Sequence, residues 1–239
     1  MKKNMKIVAA LISIGLVSPM AYATNGDEMM AVGSQSTALG GTGVANYMGA
    51  DSTWANPAML GKSKGSEVVG GLVYFSPKVT NTGLPTIAAP SGNPASSTAN
   101  PSVIPDVSYS SRMSDSLSWG IAMAGIAGMG VDYTSASAAS TTFVSAKTTM
   151  SILRVAPTIA YNDKDYGVGF SPILQYGSLA ISYNNGNPPT GVNPGQTADT
   201  STGYGYSLGG YFNVIPTLTV AAAYQSAIGM TYGDRKSVV

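Results

Sequence analysis

The chemistry open to this chain is bounded by what it lacks: it has no histidine and no cysteine. A Ser-His-Asp hydrolase, histidine general-base catalysis, a disulfide framework and His- or Cys-ligated metals are therefore excluded. Two short motifs could still hold a ligand. Gly41-Thr42-Gly43 has the glycines of a phosphate-cradling loop, but no strand precedes it and Asn46 stands where a third small residue belongs. Asn162-Asp163-Lys164-Asp165 offers calcium-like oxygens, yet between two strand patterns it reads as a hairpin turn. Met29 and Met30 could touch an apolar ligand, although packing is the expected use of so adaptable a side chain. No cofactor, no metal and no enzymatic activity are expected.

The start of the chain sets its destination. Lys2, Lys3 and Lys6 precede an apolar run from Ile7 to Ser18, and Pro19 and Ala21-Tyr22-Ala23 follow. This is the order of a signal peptide, with residues 1–23 removed and the mature chain starting at Thr24 outside the cytoplasm. The apolar run is shorter than the roughly 20 residues a spanning helix requires. Of 12 basic residues three lie in this segment, so 9 remain against 11 acidic ones, a net of −2. Nothing in that balance points to nucleic acid.

Charged residues are only 10% of the chain, against roughly 25% in ordinary soluble domains. No stretch after Ser18 is long enough to cross a bilayer as a helix, so the apolar content must be hidden by alternation. A membrane strand does this by facing every second side chain to lipid. Tyr outnumbers Phe by 14 to 4, which suits rings at a membrane–water interface.

The alternation is visible from about Ser66 onward. One strand is expected near Glu67 to Val79 and a second from Ser102 to Arg112, with Val103, Pro105, Val107 and Tyr109 on one face and Asp106, Ser108 and Ser110 on the other. A third places Leu117, Trp119, Ile121 and Met123 opposite Ser118, Gly120, Ala122 and Ala124. Further strands are expected at Ile152 to Tyr161, Tyr166 to about Tyr183, Tyr204 to Phe212 and Leu218 to Ser226. Met113 to Ser116, Asn162 to Asp165 and Asn213 to Pro216 read as short turns. Long Ser/Thr/Pro/Asn/Gly connections lie at about Thr80 to Asn100, Met129 to Lys147 and Asn184 to Ser201. Short turns on one side and long loops on the other describe an outer-membrane barrel; the alternative, a soluble β-sandwich, would also alternate but would place more charge on its solvent face, where here the residues are mostly Gly, Ala and Ser. The fold class is therefore all-β, a transmembrane antiparallel β-barrel with about seven strands present, and its inward faces read as nearly uncharged. An odd count leaves an edge whose backbone groups each cost several kcal/mol in lipid, so this chain reads as part of a larger barrel. Asp234-Arg235-Lys236-Ser237-Val238-Val239 is unlike anything before it and reads as a non-native tail, one frame of a common sequencing adapter. The organisation expected is a signal peptide at 1–23, an N-terminal segment at 24–65, a partial barrel at 66–233 and that tail at 234–239.

Thr24 to Lys64 lacks strand alternation, and its residues carry a resemblance. Gly33-Ser34-Gln35-Ser36-Thr37-Ala38-Leu39-Gly40-Gly41-Thr42-Gly43-Val44-Ala45, then Ala50-Asp51, then Asn56-Pro57-Ala58-Met59-Leu60, resembles the start of the FadL/TodX-type (OMPP1) family of outer-membrane transporters. That family includes fatty-acid, toluene and xylene uptake channels. The stretches Tyr161 to Phe170 and Tyr206 to Tyr224 also read like its barrel. The resemblance implies a barrel of roughly 14 strands, plugged by a small N-terminal hatch. Asn56, Pro57 and Ala58 fall at the family's functional tripeptide, with Gly40, Gly41 and Gly43 also assigned to hatch and gating. It implies passive uptake of long-chain fatty acids or aromatic hydrocarbons, with a hydrophobic small-molecule ligand, outer-membrane lipid and lipopolysaccharide as surroundings, and a monomer. Exit is implied to be sideways, through an inward kink of the third strand. Gly125 and Gly128 are the candidates for that kink, since glycines permit bends; alternatively, they only fill a crowded lumen. The run departs from the Pro-Phe-Gly-like pattern of many relatives.

Two other functions fit parts of the pattern. A general porin should carry rows of charge in its lumen, and a structural or adhesive surface barrel would suit the long Ser/Thr-rich loops.

Overall fold

The computed structural model describes residues 28–82, 94–133, 145–184 and 198–232. The expected signal segment 1–23 and the expected non-native tail 234–239 lie outside them.

Seven strands form one antiparallel sheet: β1 (Glu67–Phe75), β4 (Ser102–Arg112), β5 (Leu117–Asp132), β6 (Ser145–Asn162), β7 (Tyr166–Asn184), β8 (Asp199–Ile215) and β9 (Leu218–Gln225). They follow one another in sequence order, as in an up-and-down barrel wall. The seven expected strands are all present, and the sheet is a half-barrel. A separate two-stranded pair, β2 (Thr80–Thr82) with β3 (Pro94–Ser96), lies in the first long connection and was not anticipated. Among the described residues no helix is long and apolar enough to cross a membrane.

Burial alternates along the wall with period two. On β4 the even positions from Ile104 to Ser110 are buried, while Val103, Pro105 and Val107 are exposed. On β7 Val168, Phe170, Leu174 and Tyr176 face out, opposite Gly167, Gly169, Ser171, Ile173 and Gln175. Large apolar side chains thus lie on the convex face and small or polar ones on the inner face, the inverse of a soluble sandwich and the pattern of a wall in lipid. Rings gather on the outer face: Tyr109 meets Trp119 edge-on at 5.4 Å and Tyr161 lies 6.3 Å from Tyr166.

Two details differ from the sequence expectations. The first strand stops at Phe75 rather than Val79, just before Pro77. The last hairpin turn is only Pro216-Thr217, because β8 runs on to Ile215 through an irregularity at Val214. The Asn162–Asp165 stretch is a hairpin turn, with Asp163 N–H donating to Tyr166 O at 2.8 Å.

The inner face holds the N-terminal segment. It contains α1 (Ser34–Ala38), α2 (Ser52–Ala55) and a 3-10 turn at Pro57–Lys62 that packs on β5, β6, β7 and β8. Ala58, Met59 and Leu60 are fully buried there.

Candidate functional site

Three neighbouring arrangements on the inner face could do something beyond holding the fold. The first is the seat of Asn56. Its side-chain oxygen accepts from Ala58 N–H at 3.0 Å and so caps the 3-10 turn, with Pro57 in the first position where its missing N–H is harmless. Its Nδ2 donates to Val44 O at 2.8 Å and to Gly210 O of β8 at 3.3 Å. The wall is cut away to receive this tripeptide. Gly169 and Gly209 are partners across β7 and β8. A Cβ on Gly209 would strike Asn56 Oδ1, and one on Gly169 would strike the Pro57–Ala58 peptide.

The second is a set of carboxylates on the opposite flank. Asp51 is 1% exposed; its Oδ1 accepts from Ser108 Oγ at 2.6 Å, and its Oδ2 has no hydrogen-bond partner among the described residues. Burial pushes the Asp51 carboxyl above its ordinary range, against the Ser108 hydrogen bond, and the nearby Asp106 and Glu67 carboxylates push the same way as burial. The Tyr47 hydroxyl donates to Glu67 Oε1, and burial followed by that bond raises Tyr47 to about 12. Beyond the tripeptide, Lys62 Nζ lies 4.5 Å from the centre of the Tyr211 ring, and burial lowers its affinity for a proton.

The third is a seam in the wall. β4 pairs with β1 from Ser102 to Ser110, but with β5 only from Asp106 to Arg112. β5 continues to pair with β6 as far as Asp132, so above the Asp106–Ala124 pair the β4–β5 ladder stops. At that height β5 carries a register shift between Gly125 and Ala127. Ile126 is the extra residue, and the consecutive buried side chains of Ile126 and Ala127 break the alternation.

An apolar cavity of about 330 Å³ lies beside this seam, lined among others by Met29, Met30, Val73, Phe75 and Ile104. A second hollow of about 460 Å³ takes in Val103, Pro105 and Leu153 from the outer face. Ile104, Ala127 and Gly128 line both, so they stand between them. The N-terminal segment closes over the first cavity through a bond from Met29 N–H to the carbonyl of the bulged Ile126 at 2.9 Å.

This half-barrel fold has known counterparts. The family model of the outer membrane protein transport proteins (OMPP1/FadL/TodX) matches residues 15–239. The chain belongs to that family. Among solved structures it is similar to the P. putida toluene transporter TodX, with a TM-score of 0.65 and 19% identity over 84% of this chain and 57% of that one. It is also similar to a FadL homologue of Pseudomonas aeruginosa, with a TM-score of 0.58 and 14% identity over 78% of this chain and 49% of that one. The chain thus spans about half the length of these solved structures. No curated protein sequence matches it. As a member of this family it is an outer-membrane β-barrel.

Of the residues singled out from the sequence, Asn56, Pro57 and Ala58 sit together on the β7–β8 wall. Gly40 lines the first cavity, and Gly41, at φ 82°, closes the end of α1 and lets the Met30 carbonyl pass close by. Gly43 packs on Met48. Gly125 and Gly128 flank the register shift. Met30 is not packed as expected: it is 91% exposed, at the rim of the cavity. The inner face is also less neutral than the sequence suggested, for it carries Asp106 and a buried arginine, Arg154. The signal for Arg154 was available: a cation among even positions that otherwise read Ile152, Ala156, Thr158 and Ala160.

Proposed function

We propose that this protein belongs to a channel for passive uptake of hydrophobic molecules, long-chain fatty acids or aromatic hydrocarbons, across the outer membrane. Residues 24–65 act as the hatch, the cavity beside the seam holds the molecule, and exit is sideways between β4 and β5 into the bilayer. The observation that carries the reading is the apolar cavity covered by the N-terminal segment at Met29 on one side and flanked by the unladdered β4–β5 stretch on the other. A solute leaving water for such walls gains roughly 25 cal/mol per Å² of surface buried. Lateral release into lipid keeps that gain, so no energy source is required. Gly125 and Gly128 are the residues at which β5 bends, and Asn56-Pro57-Ala58 anchors the hatch on the wall. The channel works as a monomer among outer-membrane lipid and lipopolysaccharide, without a cofactor.

The test is uptake of labelled oleate and of toluene by cells lacking their own channel and carrying this gene completed, with and without Asn56→Ala. Removing the amide strands the Val44 and Gly210 carbonyls, at about 1–3 kcal/mol, so uptake should fall several-fold with the barrel still in the membrane. Failure of both compounds to enter, with the barrel present, would leave a structural surface protein as the better account.

A further inference from the structure

The seam between β4 and β5 has a second end. Above the Asp106–Ala124 pair β4 keeps its pairing with β1 as far as Ser102 and Phe75, while β5 goes on with β6 to Asp132. The chain ahead of β4 then crosses back to β5. Thr98 donates to the Asp132 carbonyl, from its N–H at 2.9 Å and from its hydroxyl at 3.2 Å. The Asp132 N–H donates to Ser97 Oγ at 3.0 Å, and that oxygen also accepts from Ala99 N–H at 3.2 Å. Thr98 lies eight residues before Asp106, and Asp132 lies eight after Ala124, so the crossing falls in the register of the ladder below it.

Both sides of the crossing are anchored. Ser97 N–H donates to Val79 O at 2.8 Å, on the chain that leaves β1. Asp132 is the cross-strand partner of Lys147 on β6, and their side chains form an ion pair at 3.1 Å. The seam is therefore a window closed at both ends, roughly 25 Å tall at about 3.3 Å per residue. Its lower part opens on the hollow that takes in Val103, Pro105 and Leu153. Its upper part borders a separate hollow of about 300 Å³ with a polar lining that includes Asn100, Asp132, Lys147 and Thr149.

A slit tied at one end can gape like a wedge. Tied at both ends, it opens only as far as its two edges can bow. We propose that Ser97, Thr98 and Asp132 limit the width of the lateral opening, so that a slim alkyl chain passes and a bulkier apolar solute does not. The inference rests on the proposed lateral exit and adds a size limit to it. These are positioning residues, because their bonds act on the strand edges and not on the solute. Each bond is modest alone, so losing one loosens the crossing and losing two frees it.

The test is uptake by cells lacking their own channel and carrying this gene completed. Labelled oleate is compared with a fatty acid of the same length tagged with pyrene at its tail, and the ratio of the two cancels differences in barrel number. In the wild type the tagged acid should enter far more slowly than oleate. Thr98→Pro removes both the N–H and the hydroxyl, and should raise the tagged acid several-fold while leaving oleate little changed. Thr98 is exposed, ahead of the first residue of β4, so the barrel should still assemble. Ser97→Ala removes the other crossing bond and repeats the test where Thr98→Pro fails to assemble. Ser97→Thr keeps the hydroxyl and should keep the wild-type ratio. Equal entry of the two acids in the wild type, or a ratio unmoved in both Thr98→Pro and Ser97→Ala, would overturn the size limit and leave hydrophobic transport standing. Entry of neither acid through the assembled wild-type barrel would overturn both.

Discussion

Charging Asp51 carries a cost, and the sign of that cost makes a prediction. Its folded-state affinity for a proton is raised, by burial first and by Asp106 and Glu67 next. Such a group contributes stability that is complete below the ordinary carboxylate range and is lost as pH rises through the raised value. Asp51→Asn can still accept from Ser108 and removes the charge. It should stabilise the protein at about pH 7.5 by on the order of 1 kcal/mol, with the gain shrinking as pH falls to the ordinary carboxylate range, read from urea unfolding in detergent. A variant less stable at the higher pH would show that an unrecognised cation neutralises Asp51. At this scale the sequence was half legible. Asn56-Pro57-Ala58 stands out because its letters and context are uncommon together. Its receptor does not: a strand glycine that clears space for another chain, as Gly169 and Gly209 do, is written with the same letter as one that merely fills a crowded lumen. Which carboxylate or arginine is buried is likewise set by segments far apart in sequence, such as Glu28 and Arg154.

Elements were read more securely, because period-two alternation is a local property and every wall strand carries it. The strand ends were read less well. β6 starts at Ser145 and β8 at Asp199, well before the apolar alternation begins, because Ser, Thr and Gly there extend the ladder without large outward side chains. The β2–β3 pair was hidden in the same kind of composition. The register shift at Ile126 was invisible for another reason: an extra residue in an apolar run does not change its hydropathy, only its phase. That phase makes the second prediction. Deleting Ile126 puts Gly125 and Ala127 in succession against Leu153 and Ile152, restores alternation and lets the β4–β5 ladder extend upward. The barrel should assemble at wild-type levels, with uptake reduced at least tenfold, the scale of about 1.4 kcal/mol or more against passage. Undiminished uptake by an assembled deletion variant would mean that the bulge is unrelated to transport.

For the molecule as a whole, low charge, alternation and turn asymmetry pointed to a barrel wall in a lipid environment, and family membership and the half-barrel agree. The path between the two cavities could not be read that way, since it depends on where a ladder ends. That path is the centre of the account, and one staple tests it. The chain has no native cysteine, and a Cβ built at Gly128 lies 4.0 Å from Ser102 Cβ, within the roughly 3.5–4.5 Å spacing a disulfide accepts. Ser102→Cys with Gly128→Cys would tie β4 to β5 above the end of their ladder. The measurement is uptake of labelled oleate and toluene through the doubly substituted, completed protein, first oxidised and then reduced. Uptake lost on oxidation and restored on reduction is the predicted result. Uptake that continues unchanged through the oxidised barrel would contradict lateral exit at this seam.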